Sequence, residues 1–147
     1  MISRLVIETL SILGVAVAFA AGTWAVTGGP QTQVSCKPEE LKPGYICFGD
    51  ARKLPGVVWV DARTRELWLK NGYQDSVFLT DHHTEDFSSL MAEAFESLAV
   101  AESVVVYCST EGCGSSEPVS NKIKELDLIP SDRIFVLAGG WKALQVE

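Results

Sequence analysis

Apolar positions along the chain fall into three patterns. The first is a near-continuous run from Leu5 to Val26, interrupted only by the charge of Glu8. At 1.5 Å per residue, a helix of that length crosses a ~30 Å hydrocarbon core. The second is a set of short unbroken runs: Tyr45 to Phe48, Val57 to Val60, Val77 to Leu79, Val104 to Tyr107 and Ile134 to Leu137. Short, β-branched and continuous runs read as strands buried on both faces, the habit of parallel sheets. The third pattern repeats at three and four. Phe87, Leu90, Met91, Ala94, Phe95 and Leu98 form one helical stripe, and Val119, Ile123 and Leu126 form another. Thr84 is placed to cap the first of these helices, with Glu85 and Asp86 in its dipole-favoured first turn. Strands alternating with helices predict a small α/β domain with a parallel sheet over residues 45–147. A polar, Pro-containing linker over 31–44 and an N-terminal segment over 1–30 precede it.

The N-terminal run has two competing explanations. Arg4 precedes it and Thr27-Gly28-Gly29-Pro30 ends it, as befits a transmembrane anchor. Ala18-Phe19-Ala20 has the small-x-small form of a signal-peptide cleavage site. The anchor is favoured because the apolar run continues past that site. A core helix is disfavoured because no amphipathic stripe is visible. Arg4 and the terminal amine favour a cytoplasmic N-terminus, which puts the domain in the periplasm or outside the cell.

At 147 residues the chain has room for one domain of ordinary size. Its net charge is −7, and Arg4 and Glu8 cancel, so the part beyond the first segment carries all of it. An acidic domain of this kind is not a nucleic-acid binder, since phosphate contacts need a basic face. The oligomeric state is not legible.

Four cysteines suit an oxidising compartment. Their spacing suggests two local pairs, Cys36 with Cys47 and Cys108 with Cys113. The first is a candidate staple at the start of the domain, although two buried thiols fit as well. Neither pair is C-x-x-C, and only His82 and His83 could complete a metal site, so neither a metal nor a cofactor is expected. His82 and His83 read as loop residues. Trp59, Trp68 and Trp141 read as packing.

The chemistry concentrates after the fourth strand run. Cys108 ends it, Ser109, Thr110, Glu111, Gly112, Cys113, Gly114, Ser115 and Ser116 form a loop, and a helix starts near Glu117-Pro118. Gly112 and Gly114 permit backbone that turns successive N–H groups inward, and a helix N-terminus adds its dipole. Such a cradle stabilises a thiolate or persulfide at its base and so makes Cys108 a candidate nucleophile. Ser115 and Ser116 are placed to cap the helix, with Pro118 in its first turn. A buried structural cysteine before an ordinary glycine turn is the plainer alternative.

The pieces Val58-Trp59-Val60-Asp61-Ala62-Arg63, Val105-Val106-Tyr107-Cys108 with its loop, and Phe135-Val136-Leu137-Ala138-Gly139-Gly140-Trp141-Lys142 together resemble a rhodanese domain. The resemblance implies a doubly wound five-stranded parallel sheet. It also implies that Cys108 takes a sulfane sulfur as a persulfide and passes it to a thiophilic acceptor, a small molecule or a protein thiol. Asp61 and Arg63 are then expected to hold the loop architecture by a local ion pair.

The sequence departs from the family in two informative places. A rhodanese loop opens with Cys and closes with Arg, and here Cys113 stands in the place of that Arg. The loop thus lacks a bidentate anion site, and Glu111 repels anionic donors, so weak use of thiosulfate is expected. The family's Gly-His-Ile-Pro-Gly-Ala stretch is replaced by Asn71-Gly72-Tyr73-Gln74-Asp75-Ser76. A second thiol in the loop suggests a resolving role, with Cys113 attacking a persulfide on Cys108. The alternative is a static Cys108–Cys113 disulfide in a catalytically silent binding module.

Overall fold

All five apolar runs form strands in the computed structural model, which describes residues 36–110 and 114–145. They are β1 (Tyr45–Ile46), β2 (Val57–Asp61), β3 (Val77–Phe78), β4 (Ser103–Tyr107) and β5 (Ile134–Leu137). They make one sheet in the order β1-β5-β4-β2-β3, and every pairing is parallel. The helices are α1 (Phe48–Ala51), α2 (Arg65–Asn71), α3 (Phe87–Ala99), α4 (Ser116–Glu125) and α5 (Trp141–Leu144).

β4 lies in the centre, and all five of its residues are buried. Its side chains alternate between two cores, because successive Cβ atoms point to opposite faces. Val104 and Val106 enter a larger core with Leu90, Met91, Ala94 and Leu98 of α3 and Val119 and Ile123 of α4. Val105 and Tyr107 enter a smaller one with Trp59, Ala51 of α1 and Leu144 of α5. Helices therefore cover both faces, and the α/β, doubly wound parallel expectation holds. Each fully buried valine contributes about 1.5–3 kcal/mol, which makes this strand the anchor of the domain.

Several local expectations need correction. The N-cap of α3 is Asp86, whose side chain accepts the Ser88 N–H, not Thr84. Thr84 instead pairs with His82 Nδ1 at 3.0 Å. Phe95 is 48% exposed, so the buried stripe of α3 is narrower than its apolar spacing suggests. Leu126 is the C-cap of α4 and is exposed, leaving Val119 and Ile123 as that helix's inner face. Phe48 starts α1 rather than ending β1. α2 has no clean apolar period and was not legible as a helix.

Cys36 and Cys47 are joined by a disulfide with a Cα–Cα distance of 5.7 Å, within the usual range. Part of the expected linker thus carries structure: Pro38–Glu40 is a single 3-10 turn, enclosed by that bridge. Among the described residues no helix is long and apolar enough to cross a membrane. The 1–30 segment, with its expected anchor or signal helix, lies outside the described residues.

Candidate functional site

Parallel strands place their carboxyl ends along one edge, and the candidate nucleophile stands there. Asp61 of β2 pairs with Tyr107 of β4 in the sheet register, and Ala62 N–H donates to the Tyr107 carbonyl at 2.8 Å. Cys108 follows directly and is 3% exposed. Its side chain turns toward the larger core, as alternation after Tyr107 requires.

Cys108 is fixed from two directions. Its carbonyl accepts the Trp141 N–H at 2.6 Å, which ties the end of β4 to the turn between β5 and α5. In that turn Gly140 has φ +55°, and a Cβ there would meet the Cys108 carbonyl oxygen at 2.4 Å. Only glycine fits both the conformation and the space. On the other side lies the N-terminus of α4. Ser116, buried in its first turn, places Oγ 3.7 Å from Cys108 Sγ, where its hydroxyl donates to the sulfur. Ser115 is the N-cap, yet its side chain makes no cap hydrogen bond. No side-chain cap from Ser115 therefore stands at this helix end, which carries the positive end of the helix dipole.

The surroundings do not all favour a thiolate. Cys108 Sγ is 3.1 Å from the Thr110 carbonyl oxygen, which accepts a proton from this sulfur only in the reduced thiol. Cys108 is also disulfide-bonded. Ser109 is half-buried, whereas Thr110 and Gly114 are exposed. A side chain at Gly114 would meet open space, so the glycine this site demands is Gly140 rather than Gly114. Glu111, Gly112 and Cys113 lie outside the described residues.

Beneath the loop runs a buried polar network. Arg63 forms a bidentate ion pair with Asp61, Nη2 to Oδ2 at 2.7 Å, both side chains almost wholly buried. Arg63 also donates to Asn71 Oδ1 at 3.1 Å and to the Leu67 and Asn71 carbonyls. Its guanidinium lies 4.0 Å from the centroid of the Trp141 ring. Burial alone would lower the Arg63 pKa, but the hydrogen bond and charge of Asp61 raise it, so the guanidinium stays charged. Tyr107 donates its phenol proton to Asp61 Oδ2 at 2.8 Å and accepts from the Tyr73 N–H at 3.0 Å and from Ser76 Oγ at 3.1 Å. Burial pushes this phenol well above its ordinary pKa and keeps it neutral.

The segment Asn71 to Ser76 therefore does meet the site's underside, through Asn71, Tyr73 and Ser76. An open cavity of about 470 Å³ lies along it, lined by residues including Trp68, Asn71, Gln74 and Ser76 and by none of the Cys108 loop. His82 and His83 lie with ring centroids 4.4 Å apart on the loop between β3 and α3. Among the described residues no cluster of His, Cys, Asp or Glu could hold a metal ion. Trp59 packs with Phe48 and Tyr73, and Trp68 stacks on Phe78.

Four contributors are not legible in the chain. The Ser116 hydroxyl reads locally as a cap, and its approach to sulfur depends on where α4 starts in space. Ser76 and the backbone of Tyr73 reach Tyr107 from more than thirty residues away. The Trp141 N–H gave no signal beyond the Gly-Gly-Trp string.

Comparison with known proteins agrees with this architecture. The N-terminal domain of a protein described as ATP/GTP binding, from Clostridium difficile 630, is similar in structure, with a TM-score of 0.52 and 21% identity over 67% of this chain and 94% of that one. At that identity the likeness shows the fold alone. Among curated proteins, none matches the chain. The family model for the rhodanese-like domain matches residues 48–147. The chain thus belongs to the rhodanese-like domain family, and that membership supports a sulfur-transfer or thiol-related role in general terms.

Proposed function

We propose that the domain is a sulfur-relay or thiol-redox module in which Cys108 carries the sulfur and Cys113 resolves it. The observation that carries the reading is the seat of Cys108 Sγ, at the end of a buried central strand and 3.7 Å from the Ser116 hydroxyl at the N-terminus of α4. In the first step the Cys108 thiolate attacks the sulfane sulfur of a donor. An S–S bond forms on Cys108, the donor's own S–S bond breaks, and the remainder of the donor leaves with the electron pair. The Cys113 thiolate then attacks Cys108 Sγ, forms a Cys108–Cys113 disulfide and expels hydrosulfide. An external dithiol takes the disulfide back to two thiols and is itself oxidised. In this reading the Ser116 hydroxyl and the amides of α4 bear the negative charge on sulfur.

A second reading has support of its own. Cys108 is nearly buried, disulfide-bonded and close to a carbonyl oxygen. A static Cys108–Cys113 bridge in a silent binding module would have these features. One experiment separates the two. The full-length protein is reduced, exposed to a small-molecule persulfide and weighed intact. The relay reading expects the wild type to release sulfide and form a donor-dependent Cys108–Cys113 disulfide, and Cys108→Ser to do neither. Cys113→Ser should keep the added sulfur and release no sulfide. A Cys108 disulfide that resists mild reductant, or a Cys108→Ser protein that still takes sulfur, sinks the relay.

The apolar run over 5–26 supports a further part of the proposal, a membrane anchor that holds the domain in the periplasm or outside the cell. The Cys36–Cys47 disulfide suits an oxidising compartment. Proteinase accessibility in intact cells, followed by an antibody to the domain, tests that placement.

A further inference from the structure

We infer that Trp141, clamped by Arg63, is a positioning residue that sets the charge state of Cys108 by fixing the peptide bond after it. This deepens the relay reading and rests on it.

The geometry forms a chain of three contacts. Arg63 is held by both oxygens of Asp61, by Asn71 and by the Leu67 carbonyl, so its guanidinium plane cannot turn. That plane lies 4.0 Å from the Trp141 ring centroid, a distance at which a cation over an indole face is attracted and well ordered. Trp141 is only half-buried and opens α5, a helix of four residues. One turn of helix does not hold itself in place, so Trp141 is fixed by its packing on the smaller core beside Tyr107 and by the stack on Arg63. The Trp141 N–H in turn donates to the Cys108 carbonyl at 2.6 Å.

The consequence follows from the planar trans peptide, in which C=O and N–H point in opposite directions. With the Cys108 carbonyl turned onto the Gly-Gly-Trp turn, the N–H of Ser109 points away from that turn. Releasing the carbonyl frees this peptide to rotate and to exchange an amide donor for a carbonyl acceptor on the side away from that turn. An N–H donor favours a thiolate and an acceptor disfavours it. The Thr110 carbonyl, 3.1 Å from Sγ, already supplies one acceptor. Because Arg63 is 5% exposed, it acts through Trp141 and touches no substrate.

The test uses the reduced full-length protein and the pH dependence of iodoacetamide alkylation, with each cysteine-containing peptide followed by mass spectrometry. Trp141→Leu removes the aromatic face. It should raise the alkylation midpoint of Cys108 by about one pH unit and slow its alkylation roughly tenfold at neutral pH. Trp141→Phe keeps a ring against Arg63 and should restore the wild-type midpoint. Arg63→Lys keeps the charge beside Asp61 but loses the flat stack, and should behave like Trp141→Leu. The Cys36 and Cys47 peptides should alkylate alike in all four proteins. Each variant is read below its own melting temperature, and Arg63→Lys stands in if Trp141→Leu does not fold. A purely structural role would lower the melting temperatures and leave the Cys108 midpoint where it is, and that result overturns the inference. A wild-type Cys108 with an ordinary thiol midpoint would overturn the relay reading itself, and this inference with it.

Discussion

Gly140 shows how much of this site rests on single positions. It sits at φ +55° with the Cys108 carbonyl oxygen 2.4 Å from where a Cβ would be. Gly140→Ala should therefore cost at least about 1–3 kcal/mol in backbone strain, with the crowding of the Cys108 carbonyl in addition. Gly114→Ala, which meets open space, should stay within about 0.5 kcal/mol of wild type. Urea denaturation of the two variants checks the contrast. Tyr107 is the second such position, because one hydroxyl serves three partners. Tyr107→Phe leaves the Tyr73 N–H without its acceptor and the Asp61 carboxylate one donor short. The expected loss is about 1–3 kcal/mol, again read by denaturation. Asp61→Ala removes one half of a buried ion pair and should cost more, about 3–5 kcal/mol.

At the scale of elements, α3 and α4 begin in different ways. Asp86 caps α3, and hydrogen bonds from the Ser89 hydroxyl and the Ser88 N–H hold its carboxyl below the usual aspartate pKa. A carboxyl depressed in the folded state stabilises the fold fully above its unfolded pKa, and that contribution is lost as pH falls through the folded value. The cap of α3 should thus be intact above about pH 4 and weaken below it. Asp86→Asn, which still accepts a hydrogen bond but does not titrate, should flatten that part of the acid-stability curve. α4 starts with no side-chain cap from Ser115, and its first turn faces Cys108. One helix start is thus closed by its own side-chain cap, and the other carries no cap from Ser115 and places Ser116 Oγ beside Cys108 Sγ.

The whole molecule sets the charge and the covalent frame. The Cys36–Cys47 bridge closes a loop of sequence separation 11, which is worth about 2–3 kcal/mol by the chain-entropy estimate. Cys36→Ser should lower stability by that amount and leave the alkylation of Cys108 unchanged. A net charge of −7 and the lack of a loop arginine both oppose anionic donors. A sulfane-sulfur donor without net charge should accordingly load Cys108 faster than thiosulfate does. The gap should narrow as salt screens the repulsion, a comparison made by initial rates at low and high ionic strength.

The sheet was legible because its strands are buried on both faces and so appear as unbroken β-branched runs, from Val57 to Val60 and from Val104 to Tyr107. The doubly wound parallel fold and the place of Cys108 at a strand's carboxyl end follow from that spacing and from the resemblance it carries. α2 shows no apolar period because none of its residues is fully buried. Thr84, Glu85 and Asp86 all suit the N-terminus of α3, and only the path of the chain selects Asp86 as its cap. What surrounds Cys108 was decided by the tertiary structure. Trp141, Gly140, Ser116, Tyr73 and Ser76 reach the strand end from three separate stretches of chain. Local sequence records the conformation each residue can adopt. It does not record which carbonyl, sulfur or phenol the completed sheet will bring to meet it.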